Sequence, residues 1–356
     1  MTTQSPQDQL NAKMNDVRWS FEKLQKQVKL TSVVDQIEDL DTKIKGLAGR
    51  ITALRNRNYP FEKGLEGQAA DLLKRWLPLR QSVNIQINQQ ASLLEAALRP
   101  LESRLGQVSA AVRSPALALP MLNQLETECS NLEQKASAAE STINGMYDSL
   151  ESEAGKLFHH LDEVEWAYTS LEQASFKLLP TEALIMAVKA IWTRDNREDR
   201  DDPEGILFLT DQRLLFEQNE EVATKKVLFI TTERKKVQVL AAEVPLTMIQ
   251  EINATKQGVF KNEDFLDFRF ASGAPYQQMQ FHLKGQDCNE WKALINRVLS
   301  GDITRDRAVA IDQSAVDKVK NAPTICPNCG GTIKQAILRG QDSIQCEYCG
   351  GIIRLG

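Results

Sequence analysis

Two near-copies of one phrase, Cys326-Pro-Asn-Cys329-Gly-Gly and Cys346-Glu-Tyr-Cys349-Gly-Gly, stand sixteen residues apart in this 356-residue chain. A segment this short cannot bury enough apolar surface to fold by itself, so whatever gathers its four sulfurs must supply the missing free energy. A two-residue spacing lets one tight turn present both sulfurs of a pair to a single tetrahedral ion. Four thiolates fill that ion's coordination shell and leave no place for water or substrate. The expected site is therefore one structural Zn2+ held by Cys326, Cys329, Cys346 and Cys349, with iron as the chemically compatible rival. The Gly-Gly after each pair tolerates positive φ and lets backbone N–H groups approach the thiolates, and Pro327 preorganises the first turn. Between the pairs, Ile333, Ile337, Leu338 and Ile344 predict a hairpin turning at Arg339-Gly340-Gln341-Asp342.

The other two of the six cysteines, Cys129 and Cys288, stand alone, so the pattern is no disulfide framework and a reducing cytoplasm is the expected compartment. The opening residues, "MTTQSPQDQLNAKMND", are too polar for a signal peptide, and there is no run of about 18 apolar residues to cross a membrane. The net charge of -5 argues against a general nucleic-acid binder. The length predicts two or three domains.

Residues 1–116 read as helical segments. Leu10, Met14, Val17, Phe21, Leu24 and Val28 recur in steps of four and three, and the rhythm resumes at Val33 through Leu54 after a five-residue step. Ser32 with Asp35 fits a new cap there. Asn58-Tyr59-Pro60 breaks the chain again, and Pro78 is a candidate kink in a third helix from Leu65. From Leu122 to Leu171 a strict heptad can be written. One seam holds Leu122, Cys129, Ala136, Ile143, Leu150, Leu157, Val164 and Leu171, and the other Leu125, Leu132, Ala139, Met146, Glu153, His160 and Ala167. This predicts a long helix over 117–179, roughly 90 Å if unbroken, in an intrachain bundle or a self-associating coiled coil. Glu153 and His160 on the seam require pairing or a rotation of the helix.

After Pro180 the pattern changes to strands. In "DFLDFRF" Leu266, Phe268 and Phe270 oppose Asp267 and Arg269, and in "MQFHLKG" Met279, Phe281 and Leu283 oppose Gln280, His282 and Lys284. That period of two predicts an antiparallel sheet with His282 exposed. A final helix would bury Trp291, Leu294, Ile295, Val298 and Leu299 and end near Gly301. Strands followed by one closing helix predict a small barrel plugged at one end. The segment "DDPEGILFLTDQRLLF", with Pro203, Gly205, Thr210, Arg213, Leu214 and Phe216, resembles the opening hairpin of GRAM-type PH-like domains, and "VPLTMIQEI" resembles a later strand. The resemblance covers about 180–302 and implies binding to membrane lipids or proteins, not catalysis. The cysteine segment resembles a zinc ribbon over 324–354.

Lys225, Lys226, Arg234, Lys235 and Lys236 form a candidate anionic-surface patch, the last three read at the hairpin tip "TTERKK". A solvated, edge-protecting loop is the bland alternative. The loop "TRDNREDRDDPEG", where many PH domains hold inositol phosphates, is dominated by acids, which speaks against that role here. His159 and His160 diverge by about 100° on a helix. No nucleophile elbow, phosphate-cradling glycine loop or HExxH occurs, so no enzyme is expected.

The fold class expected is multidomain α+β: helical segments 1–116, a heptad helix 117–179, a GRAM/PH-like barrel 180–302 capped by a C-terminal helix, a linker 303–322 and a zinc ribbon 323–356. The function expected is a cytosolic adaptor or scaffold, docking to a protein or peripherally to an anionic membrane, with the coiled coil giving reach or a homo-oligomer. The opposed reading is a nucleic-acid-associated factor that grips DNA or RNA through the ribbon. Lys334, Arg339 and Arg354 make a thin basic surface for that.

Overall fold

The computed structural model describes residues 6–194, 198–199, 201–227, 230–258, 260 and 262–355; the side chains of residues 6 and 222–235 lie outside this description. The chain divides into two compact units, Met1–Ala48 with Gly67–Phe158, and Gly49–Glu66 with His159–Gly356. Among the described residues, no helix is long and apolar enough to cross a membrane.

The helices are α1 (Pro6–Gln27), α2 (Thr31–Asn56), α3 (Leu65–Ala111), α4 (Pro115–Asn144) and α5 (Asp148–Glu172). The five-residue step after Val28 is a real break, with Leu30 at φ +53. Helix α3 continues past both Pro78 and Pro100. Lys13–Glu126 and Lys23–Glu133 ion pairs, with Gln27–Ser137 and Ser32–Glu140 hydrogen bonds, advance together, so α1 and the start of α2 run parallel to α4. Gln25–Glu102 and Trp76–Asp41 contacts advance in opposite senses, which makes α3 the return limb. The first unit is thus an intrachain bundle, closed by Leu10, Val17, Leu24, Leu47, Trp76, Val83, Leu122 and Leu125, each no more than 3% exposed.

The long heptad helix is not continuous. A tight turn at Gly145–Tyr147, with Met146 N–H on Ile143 O and Tyr147 N–H on Asn144 O, separates α4 from α5. Burial follows Leu122, Leu125, Cys129, Leu132, Ala136, Ala139 and Ile143, then Tyr147, Leu150, Ala154, Leu157, Leu161 and Val164. Two four-residue steps in succession, 139 to 143 to 147, constitute a stutter that rotates the buried stripe by one position. Ala154 and Leu161 therefore take the places written for Glu153 and His160.

In the second unit, β1 (Leu184–Thr193), β2 (Glu204–Thr210), β3 (Arg213–Val227), β4 (Ile230–Pro245), β5 (Ile249–Gln257), β6 (Glu263–Phe270) and β7 (Gln278–Lys284) form one antiparallel sheet in the order β4-β3-β2-β1-β7-β6-β5. The resembling segment is the β2–β3 hairpin. Gly205 is required there, because a Cβ would sit 2.0 Å from Glu217 O on the paired strand. The expected barrel does not close: among the described residues no ladder joins β4 to β5. β2 accompanies β3 only from Leu214 to Gln218, so among the described residues the outer half of the β3–β4 hairpin has no third strand. "VPLTMIQEI" is a corner, with a single 3₁₀ turn at Leu246–Met248 between β4 and β5. "TTERKK" runs along β4 rather than at the tip, with Lys236 opposite Glu221 and Arg234 opposite Ala223.

Helix α6 (Cys288–Leu299) lies on β5 and β6, burying Cys288, Trp291 and Ile295. Asp287 caps it by accepting from the N–H groups of Asn289 and Glu290, and Gly301 at φ +76 follows its end. His282 is buried, not exposed, because the second face of β7 is covered as well: its ring stacks on Phe265 at 4.5 Å and meets Glu198. Short helices α7 (Asp302–Arg305) and α8 (Gln313–Lys320) lead to the two-stranded β8 (Ser343–Gln345) and β9 (Ile352–Arg354).

Candidate metal centre and the turn that holds it

The two cysteine phrases fold into the same local shape. Cys326 N–H donates to Gly331 O and Gly330 N–H to Cys326 O; Cys346 N–H donates to Gly351 O and Gly350 N–H to Cys346 O. Gly330 and Gly350 have φ of +74 and +70, a region where a Cβ is strained. A Cβ on Gly331 would lie 2.6 Å from the Tyr348 ring, and one on Gly351 2.5 Å from Asn328, so each knuckle packs against the other. Beneath them, Cys326, Ile344, Cys346, Ile353 and Leu355 form a small core with Ala322, Ile333 and Ile337 at its edge. The hairpin expected at 333–344 is instead β8–β9, which brackets the second knuckle. Its loop at Arg339–Asp342 has another task.

The sulfurs meet as the spacing requires. Cys326 Sγ lies 3.8 Å from Cys349 Sγ and Cys329 Sγ 3.7 Å from Cys346 Sγ, and all four fall within 4.8 Å of one another. A tetrahedral ion about 2.3 Å from each sulfur would set them about 3.8 Å apart, so the donor set fits zinc. Backbone N–H groups of Cys349 and Tyr348 bring the Cys346 thiol down to about 7. At Cys329 the Gly331 N–H pulls the thiol down, but sulfur–sulfur hydrogen bonds led by Cys349, with loss of solvation, together push it up to about 12. Sulfurs this close cannot all carry charge without a cation among them. A second group, Asp264, Asp287 and Cys288, is already served by Lys256 Nζ, 3.0 and 2.7 Å from the two carboxylates.

The cysteine segment is fastened to the sheet by the β2–β3 turn. Gln212 Nε2 donates to Arg339 O, and Arg339 N–H donates to Gln212 Oε1. Asp211, 2% exposed at its side chain, accepts from the guanidinium groups of Arg307 and Arg339. Gly340, φ +84, presses so near Pro180 that a Cβ would stand 2.0 Å from Pro180 O. On the turn's other side Thr210 Oγ1 accepts from the N–H groups of Gln212 and Arg213 and donates to Glu182, while Arg213 grips buried Glu182 and exposed Glu243. Thr210 and Arg213, singled out by resemblance, are thus structural. Asp211 and Gln212 between them went unnoticed, and only an acid in a strand-to-strand turn hinted at them.

Of the candidate surface patch, Lys225, Lys226, Arg234 and Lys235 have side chains outside the described residues; Lys236 is exposed. Of the acidic loop, Asp195, Arg197 and Arg200 also lie outside. Arg339 is spent on Asp211, which thins the basic surface of the cysteine segment further.

One constellation was not anticipated. Tyr59 Oη donates to Glu62 Oε2 at 2.7 Å and His160 Nε2 meets the same oxygen at 2.7 Å, in a cleft of about 340 Å³ also lined by Glu163, Trp291 and Arg297. Glu62 has φ +56, and Arg55 holds its loop by donating to the carbonyls of Tyr59, Phe61 and Glu62. Burial alone would lower the His160 pKa, but hydrogen bonding and charge from Glu62 raise it. Burial would raise Glu62, and His160 with Tyr59 lowers it instead. Among the described residues, no Ser, Thr, Cys or Lys lines the cleft.

No known protein family and no curated protein matches the chain. Among solved structures, the Vps36 N-terminal PH domain is 16% identical, covering 36% of this chain and 86% of that one at a TM-score of 0.23. The DH/PH domains of p115-RhoGEF are 12% identical, covering 84% and 94% at 0.21. The DH/PH domains of PDZ-RhoGEF, in complex with activated RhoA, are 12% identical, covering 84% and 96% at 0.23. The architecture stands on its own strand order.

Proposed function

We propose that this chain is a non-enzymatic scaffold, in which a GRAM/PH-like sheet domain and a zinc ribbon act as one docking body for a protein partner. The supporting observation is the clamp of Asp211 and Gln212 on Arg339, which makes the ribbon part of the sheet's surface rather than a loose tail. Cys326, Cys329, Cys346 and Cys349 hold one structural zinc, which supplies folding free energy and no open coordination site. The remaining thiols do not suggest catalysis, since burial pushes Cys129 and Cys288 up to about 11. The bundle provides reach.

The test is binding of the full chain to neutral and anionic vesicles and to DNA and RNA at near-physiological salt, alongside crosslinking in cells. The reading expects no binding to nucleic acid and a discrete crosslinked protein adduct through the second unit. Vesicle binding lost on changing Arg234, Lys235 and Lys236 to Ala would transfer the docking role to an anionic membrane. Steeply salt-dependent nucleic-acid binding would overturn the proposal.

A further inference from the structure

Helix α3 carries the longest uncharged run in the helices of the bundle, "QSVNIQINQQASLL" at 81–94, about four turns between Arg80 and Glu95. Its inward stripe is Trp76, Val83, Ile87 and Leu94, all buried. The opposite side of the helix is the row Asp71, Pro78, Ile85, Ser92 and Arg99, seven residues apart and every member exposed. Beside it the row Lys74, Gln81, Asn88 and Glu95 is exposed throughout as well. Ile85 is 52% exposed at the middle of this face, and Leu77 and Leu93 on its two sides are 50% and 65% exposed. The heptad seam expected to self-associate is spent inside the chain, with Leu122, Leu125, Leu132 and Ile143 buried. In a chain with 26% charged residues, a solvated helix face of this length would carry charge. An uncharged centre bordered by charge is instead the composition of an interface.

The bordering charges define what fits the face. Asp71 and Lys74 precede the run, and Glu95 and Arg99 follow it. Arg75 and Arg80 are engaged within the bundle by Glu153 and Asp41. Among the described residues Lys74, Glu95 and Arg99 have no ion pair, and Asp71 meets only Arg75, one turn along its own helix. A second α3 laid alongside in the same direction would set each of these charges against its own copy. Reversed about Ile85, the same face complements itself. Asp71 then faces Arg99 of the other copy, Pro78 faces Ser92, and Ile85 meets Ile85. In the neighbouring row Lys74 faces Glu95 and Gln81 faces Asn88, on one flank, because a two-fold axis perpendicular to the helices returns each flank to its own side.

We propose that two copies of this chain associate through this face of α3, antiparallel about a two-fold axis at Ile85. A two-fold interface uses one patch twice, so the patch must be complementary to itself, as this one is in charge. A single, largely polar helix face makes a weak and reversible dimer. The inference rests on the bundle alone and is independent of the scaffold reading and of any metal.

Sedimentation velocity of the full chain, over about 1 to 100 µM, tests it in the range where a small interface populates both states. The expected result is a monomer–dimer equilibrium that shifts within that range. Ile85→Glu places two carboxylates at the axis and should abolish the dimer, with the thermal melt of the monomer unchanged because the side chain is exposed. Lys74→Glu and Glu95→Lys should each weaken the dimer about tenfold, since every reversal acts twice across a two-fold interface. Combined in one chain, the two should restore it, which a parallel pair would not allow. A chain that stays monomeric throughout would overturn the proposal and leave the face to a different protein. A dimer indifferent to Ile85→Glu, or a double variant no tighter than its parents, would overturn it too.

Discussion

Asp211 faces two guanidinium groups whose side chains are 8% and 13% exposed, so removing its charge strands both. Asp211→Asn should destabilise the second unit by about 3–5 kcal/mol, the usual penalty for breaking a buried pair on one side; denaturant unfolding followed by tryptophan fluorescence measures it. The Glu62–His160 pair makes a prediction with a sign. His160 is raised from 6.5, so its stabilisation is complete below that value and is lost as pH rises through the folded pKa. Glu62 is lowered from 4.5, so its stabilisation is present above that value and is lost as pH falls through the folded pKa. The pair contributes most between those two values. His160→Ala should cost roughly 1–3 kcal/mol near pH 5.5 and clearly less near pH 9, read from unfolding curves at each pH. The clustering of the four cysteines was legible because the two of each pair are spaced by a local turn. Asp211 was not, since its partners lie 96 and 128 residues further on.

At the scale of elements, periodicity carried most of the fold: both the 3.6-residue stripes and the alternation in β6 and β7 mark residues that are buried in the structure. What it missed are places where one pattern passes into another. The heptad was written through Glu153 and His160 because a stutter leaves local spacing almost unchanged while moving the stripe by one residue. The structure predicts that Ala154→Glu, which places a charge at a fully buried position, costs more than about 3 kcal/mol, whereas Glu153→Ala changes the melting temperature little. Similar losses from the two variants would restore the unbroken heptad. An open sheet in place of a barrel has the same kind of origin, because no strand's own pattern records that β2 is seven residues long and β3 fifteen.

Within the second unit, sheet, linker and cysteine segment are tied by a few contacts that converge on one turn. Gly340 marks how close the approach is: Gly340→Ala adds a Cβ against Pro180 O in a left-handed backbone conformation, and should destabilise the second unit by at least about 2 kcal/mol without loss of metal. Thermal melting paired with metal content checks both halves of that statement. Closure of the ribbon by zinc is tested by the metal content of the purified full chain and of Cys349→Ser. One zinc per chain is expected in the wild type and none in the variant. Iron in place of zinc, an absence of metal, or a variant that keeps its ion would contradict it.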